Sequence, residues 1–259
     1  MDRRQLLGGL LAAVAVSAGR AASAAPPLVA AAANLRFVLP EINRRFEAES
    51  GYRLRLVFGA SGQFYRQILQ GAPYALFLSA DSRLVEELHA QGLIDSPGAV
   101  YALGRLALFA AHGSPLEVDS KLEGLARAVA QNRLRRLAIA NPKHAPYGAR
   151  AAEVLRRRQL WERLQPHLLF AENVAQAAQF ALQGAADGGL IAHSLARAPR
   201  LRERGRFALI PAAWHQPLDQ RMALLRPELP AAAAFYAYMR QEGARKLLAA
   251  FGFALPDPA

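Results

Sequence analysis

Ala31-Ala32-Ala33-Asn34-Leu35 ends one pattern and begins another. Ahead of Asn34, Leu28 to Ala33 is a short apolar run that reads as a buried strand. Behind it, Leu35, Val38, Ile42 and Phe46 recur at helical spacing. Asn34 thus sits at a strand-to-helix switch, where a polar side chain can satisfy one of the helix's unpaired N–H groups. Those N–H groups also carry the positive end of the helix dipole, so the same spot suits an anion.

The switch recurs on both sides of a long middle. Arg53 to Phe58 reads as a strand, Gly59-Ala60-Ser61-Gly62 as a turn, and Phe64, Ile68 and Leu69 as one face of a helix. Ala75 to Leu78 is a short buried strand, after which Ser79-Ala80-Asp81-Ser82 caps a helix carrying Leu84, Val85 and Leu88. Three β-then-α units in succession predict a parallel sheet covered by helices. A second set follows: a strand at Leu137 to Ala140, a rigid loop at 141–146, a helix at Tyr147 to Arg158 and a strand at Leu168 to Phe170. Glu172-Asn173-Val174-Ala175 then opens a helix, and Gly189 to Ala192 is a strand. Phe207 to Ile210 and Gln220 to Leu225 are further strands, and helices at about 230–240 and 243–251 finish the chain. The alternation predicts an α/β protein of two β/α lobes. Residues 26–105 with 215–259 form the first lobe and 106–214 the second, joined through the strands Gly104–Ala111 and Gln220–Leu225. The C-terminal helices are expected to pack on the first lobe. Ligands of such sheets bind beyond the carboxyl ends of the strands, and two lobes can turn those ends toward each other.

The 259 residues are 53% hydrophobic and 20% charged, ordinary for a globular chain with real cores. The absence of cysteine excludes disulfides, thiolate catalysis and cysteine-ligated metals. Residues 1–25 read as a signal peptide: Arg3-Arg4 precede an apolar run from Leu6 to Ala18, and Ala22-Ser23-Ala24 offers small residues for cleavage. The paired arginines suit the twin-arginine route, which implies export to the periplasm. The formal charge is +12; removing residues 1–25 takes three arginines and one aspartate with it, leaving about +10. Runs such as Arg156-Arg157-Arg158 read as solvated helix faces, because no aromatic interleaving or recognition helix accompanies them. No nucleic-acid partner is expected.

At the predicted strand ends stand Asn34, Ser61 with Gly62, Ser79-Ala80-Asp81, Tyr147 with Gly148, and Asn173-Val174. Each alone reads as a helix cap. Together they form a set of neutral donors nearly free of lysine and arginine, suited to an ionised ligand that only accepts hydrogen bonds. Catalytic patterns are poorer. Gly59-Ala60-Ser61-Gly62-Gln63 lacks the second glycine of G-x-S-x-G, and the six histidines show no metal-ligand spacing. An exported serine hydrolase pairing Ser61 with His193 or His144 is the weaker alternative. No enzyme activity and no cofactor are expected.

These pieces resemble the periplasmic molybdate-binding proteins of ABC importers, which have the type II periplasmic-binding-protein fold. The resemblance spans most of residues 28–253. It rests on Ala31-Ala32-Ala33-Asn34-Leu35, on Phe58-Gly59-Ala60-Ser61-Gly62-Gln63-Phe64-Tyr65, and on Gly71-Ala72-Pro73 with Leu76-Phe77-Leu78-Ser79-Ala80-Asp81. It continues through Ala138-Ile139-Ala140-Asn141-Pro142-Lys143, Ala145-Pro146-Tyr147-Gly148 and Glu172-Asn173-Val174-Ala175-Gln176. The resemblance implies a monomer that binds molybdate, and tungstate with it, between the lobes and delivers it to an inner-membrane permease. It implies that Asn34 and Ser61 donate from one lobe, and Tyr147 (hydroxyl or N–H) and the Val174 N–H from the other, with no side chain ligating the metal. Another oxyanion such as sulfate is the alternative ligand. Two departures from the family pattern stand out. Ala60 occupies the place of a common serine, and Ala192-His193-Ser194 brings a histidine and no tyrosine.

Overall fold

The computed structural model describes residues 25–256; the signal-peptide reading of residues 1–25 falls almost wholly outside them. Strand β1 (Leu28–Ala32) is built of small and branched residues, so its neighbours approach closely and Val29, Ala30 and Ala31 are fully buried. A short 3-10 turn, Ala33–Leu35, separates it from α1 (Val38–Ser50). Next come β2 (Arg55–Gly59), α2 (Ser61–Leu69), β3 (Tyr74–Leu78), α3 (Ser82–Ala90) and β4 (Ala99–Gly104). The second half begins with β5 (Leu106–Ala111), α4 (Glu123–Ala130), β6 (Leu137–Ala140) and α5 (Pro146–Arg157). It continues with α6 (Trp161–Leu164), β7 (Leu168–Ala171), α7 (Val174–Leu182), β8 (Gly188–Ala192), α8 (His193–Ala196), α9 (Pro199–Arg202) and β9 (Gly205–Leu209). The chain then returns through β10 (Leu218–Leu224), α10 (Pro230–Tyr238) and α11 (Glu242–Ala250).

The strands form two five-stranded sheets, ordered β2-β1-β3-β10-β4 and β7-β6-β8-β5-β9. In the first, β1 runs parallel to β2 and β3, while β10 is antiparallel to β3 and β4. In the second, β6 is parallel to β7 and β8, while β5 is antiparallel to β8 and β9. The helix face predicted around Leu35, Val38, Ile42 and Phe46 lies in the first core, where Phe46 meets Phe235 and Tyr238 edge-on with centroids 5.0 and 5.3 Å apart. The C-terminal helices therefore pack on the first lobe.

Three expectations need correction. Gly104–Ala111 is not one strand: Gly104 pairs with Leu218 in the first sheet, Leu106 pairs with Ala192 in the second, and Arg105 is the step between them. Gln220–Leu225 is not a connector either, because Gln220 to Leu224 pair with β3 and β4 inside the first sheet. The return passage is the segment 210–217, pinned by hydrogen bonds from Arg150 to the Gln216 side chain (3.0 Å) and from the Gln216 N–H to Glu153 (2.8 Å). Third, Asn34 does not cap α1. It lies inside the 3-10 turn, three residues before the Phe37 cap position, and its amide is turned to Gln220 of its own lobe and Tyr147 of the other.

Candidate functional site

The carboxyl ends of the parallel strands in the two sheets face each other. Twelve residues at or beyond the carboxyl ends of β1, β2, β3, β6 and β7 close around a cavity of about 10 Å³, and none of them carries a charged side chain. From the first lobe come Asn34, Ala60, Ser61 and Ala80; from the second, Ala145, Tyr147, Asn173 and Val174. The four residues singled out in the sequence thus meet at one place, and all four are nearly fully buried. The cavity has room for about one water molecule, so the lobes are nearly shut on each other.

Local structure explains which donors are free. Ser61 is the first residue of α2, Tyr147 the second of α5 after Pro146, and Val174 the first of α7. At those positions a backbone N–H has no partner inside its own helix. Asn173 is the cap of α7, and its side chain accepts from the Ala175 and Gln176 N–H groups, both at 3.1 Å. It thereby satisfies the deeper donors and leaves the Val174 N–H for the cavity. The Ser61 hydroxyl accepts from the Ala80 N–H at 2.9 Å, so its own hydrogen remains available. Ser79 and Asp81, by contrast, are spent on the turn. Ser79 donates to the Asp81 carbonyl, and Asp81 caps α3 while pairing with Arg83. Burial raises the Asp81 carboxyl, but hydrogen bonds from the Arg83 side chain and N–H outweigh it and hold it below its ordinary value.

The Tyr147 hydroxyl belongs to a buried cluster that crosses the lobes. It accepts from Gln220 Nε2 at 3.1 Å and from Asn34 Nδ2 at 3.4 Å. Asn34 Nδ2 also donates to Gln220 Oε1 at 2.9 Å, and Tyr101 donates to the same oxygen at 3.0 Å. Burial pushes the Tyr147 phenol far above its ordinary value, so it stays protonated. Sequence reasoning missed Gln220 and Tyr101. The signal was present in Gln220, which shares the inward-facing period-two positions of β10 with Leu218 and Met222.

Further contacts tie the lobes in this closed arrangement. The Gly62 N–H donates to the His144 carbonyl at 3.0 Å, Gln63 donates to Glu172 at 2.8 Å, and the Ser194 hydroxyl donates to the Asn34 carbonyl at 2.9 Å. A Cβ on Gly62 would stand 2.6 Å from the His144 carbonyl oxygen, so only glycine permits this approach. His193 is half-buried, packs on Phe207 and donates from Nδ1 to the Gly252 carbonyl at 3.0 Å, away from the cavity. Burial lowers its pKa, reinforced by Arg197 and Arg105 and only partly offset by the Gly252 bond. His144 bonds the Glu172 carbonyl, so neither imidazole engages Ser61. Ala60 lines the cavity without offering a hydroxyl.

The chain matches the model for bacterial extracellular solute-binding proteins over residues 27–254. It is 35% identical to the molybdate-binding protein ModA of Rhodobacter capsulatus over 238 residues, 90% of this chain and 89% of that one. It is 34% identical to ModA of Azotobacter vinelandii over 93% of this chain and 96% of that one. The structure superposes on the periplasmic molybdate-binding protein of Azotobacter vinelandii with a TM-score of 0.80 and 30% identity, covering 89% of this chain and 100% of that one. With the two-lobed fold and the shared cleft already established, this chain belongs to the bacterial extracellular solute-binding protein family.

Proposed function

We propose that the protein captures molybdate, and tungstate with it, in the cleft between its lobes and hands the ion to an ABC permease of the inner membrane. One observation carries the reading: a cavity built from both lobes, lined by uncharged hydrogen-bond donors at helix starts and by no charged side chain. Asn34, Ser61 and the N–H groups of Tyr147 and Val174 would surround a tetrahedral dianion. Their hydrogen bonds replace its hydration shell, and three helix N-termini favour its charge. The likeness to two ModA proteins at 34–35% identity supports the same ligand.

The lobes, residues 26–105 with 215–259 and 106–214, move as units about Arg105 and the segment 210–217. The ion docks on one open lobe. Closure then brings the second set of donors and excludes water, strengthening each charge-assisted bond. A tetrahedral oxyanion exceeds one water in size, so the loaded cleft sits slightly wider than 10 Å³. Sulfate, of equal charge and shape, is discriminated by size, and a protonated phosphate by its need for an acceptor. Export to the periplasm, action as a monomer, and the absence of catalysis, cofactor and nucleic-acid partner complete the reading. Among the described residues, no helix is long and apolar enough to cross a membrane.

Thermal melting with sodium molybdate, tungstate, sulfate and phosphate tests it. Molybdate at ~100 times its Kd should stabilise by about 2.7 kcal/mol, raising Tm by roughly 5–10 °C for a chain of this size. A Tm that sulfate raises and molybdate leaves unmoved contradicts the assignment.

A further inference from the structure

Gln220 is fully buried on β10, yet it touches neither the cavity nor solvent. Its amide is the hub of the cluster: Oε1 accepts from Asn34 Nδ2 and Tyr101, and Nε2 donates to the Tyr147 hydroxyl. In this arrangement Asn34 Oδ1, buried in a residue that lines the cavity, has no partner. An unpaired buried acceptor is costly, and an oxyanion beside it would make it worse.

Both amides can turn by 180° without moving any other heavy atom. Gln220 Nε2 then donates to Asn34 Oδ1 across the same 2.9 Å and to the Tyr101 oxygen across 3.0 Å. Tyr101 keeps its donation to the Ser79 carbonyl at 3.2 Å. The Tyr147 hydroxyl donates to Gln220 Oε1 across 3.1 Å. Asn34 Nδ2 takes the place of the orphaned oxygen and is free to donate. Neither amide can turn alone, because that sets oxygen against oxygen or nitrogen against nitrogen at 2.9 Å. The pair is a single two-position element.

We propose that Gln220 is a positioning residue for oxyanion binding, coupling its amide to that of Asn34 so that a bound oxyanion meets the Asn34 N–H rather than its carbonyl. This rests on the oxyanion reading above and adds its mechanism of choice. With the ion bound, Asn34 is the side-chain donor from the cluster, and the Tyr147 hydroxyl is turned to Gln220, leaving Tyr147 to serve the ion through its backbone N–H. In the other position the cluster shows an acceptor, which a fully ionised ligand cannot use.

Calorimetric titration with sodium molybdate of the mature wild type, Gln220→Met, Asn34→Ala and the double variant tests the coupling. Methionine is close in size and makes no fixed hydrogen bonds, so it removes the orientation without adding charge. The expected result is that Gln220→Met weakens molybdate about tenfold or more in the wild-type background, and less than about twofold in the Asn34→Ala background. Wild-type affinity in Gln220→Met, or an equal loss in both backgrounds, overturns the proposal and reduces Gln220 to packing. A wild type that binds no molybdate instead overturns the oxyanion reading, and the proposal falls with it. Should Gln220→Met not fold, the wild type answers by NMR: molybdate must shift the side-chain NH2 resonances of Asn34 and Gln220 together. An Asn34 shift with Gln220 unmoved overturns the coupling.

Discussion

Ser61 shows how little a single residue needs to do here. Its hydroxyl is oriented by the Ala80 N–H, which occupies a lone pair and leaves the hydrogen free for the proposed oxyanion. Ser61→Ala removes a hydrogen bond to a charged group, worth about 1.5–3 kcal/mol, and leaves the Ala80 N–H without its partner. Molybdate affinity measured by calorimetry should fall at least tenfold, and an unchanged Kd would place the ion elsewhere. Asn34→Ala should behave similarly. At this scale the sequence pointed to Ser61, Tyr147 and Val174 because each stands at or beside a predicted helix start, and to Asn34 because it follows the first predicted strand. It was mute about partners distant in the chain. Asn34 and Gln220 lie 186 residues apart, and only the fold brings their amides together.

Elements were legible where apolar periodicity was uninterrupted. The β-then-α units through Leu88 are all present, with ends shifted by a few residues as hydrogen bonding requires. Gly104–Ala111 misled because its apolar run continues through a change of sheet, which period and composition do not report. Helix α4 carried no visible start, since Leu122 precedes it in the left-handed region and the cap is supplied from further upstream. Asp119 does this work, accepting from the N–H groups of Lys121, Glu123 and Gly124 at 2.8, 3.1 and 2.8 Å. Asp119→Ala should cost about 1 kcal/mol, seen as a Tm lowered by roughly 2–4 °C. Burial alone would raise the Asp119 carboxyl, but those three N–H bonds hold it below 3.8 in the fold. Its contribution is therefore intact above that value and lost as pH falls through the lower folded one. A melt at pH 7 that does not distinguish the variant from wild type would remove the cap from α4. At the lobe contact, Gly62→Ala puts a methyl against the His144 carbonyl. Overpacking of this kind costs about 1–3 kcal/mol, and here it falls on the closed state. Molybdate should bind roughly tenfold or more weakly while the ligand-free Tm changes little. Equal affinity would mean that the ion binds without closure.

At the scale of the whole molecule, none of the basic side chains among the described residues lines the cavity. Arg156 lies over the Trp161 ring at 4.6 Å and Arg158 over Trp214 at 5.0 Å, so two members of this exposed basic run also stack on tryptophans. Near neutral pH the protein's response comes instead from imidazoles. Burial holds His193 and His215 below the ordinary value of 6.5. The unfolded chain then binds more protons than the folded one near that value. Stability is full above pH 6.5 and declines as pH falls through the lower folded pKa values. His193→Gln should flatten part of the decline in melts between about pH 7 and 5, leaving the share that belongs to His215. An unaltered slope would remove His193 from the pH response.

The two-lobed architecture could be read from the sequence because each lobe repeats the same strand-to-helix grammar. The closed state could not, because it depends on glycine and carbonyl contacts such as Gly62 with His144. In the proposed site, neutral donors from both lobes grip one oxyanion. A crystal structure grown with sodium molybdate tests this most directly. The ion should lie between the lobes, its oxygens about 2.7–3.1 Å from the Asn34 and Ser61 side chains and the Tyr147 and Val174 N–H groups. An ion outside the cleft, or one held there by lysine or arginine, would contradict it.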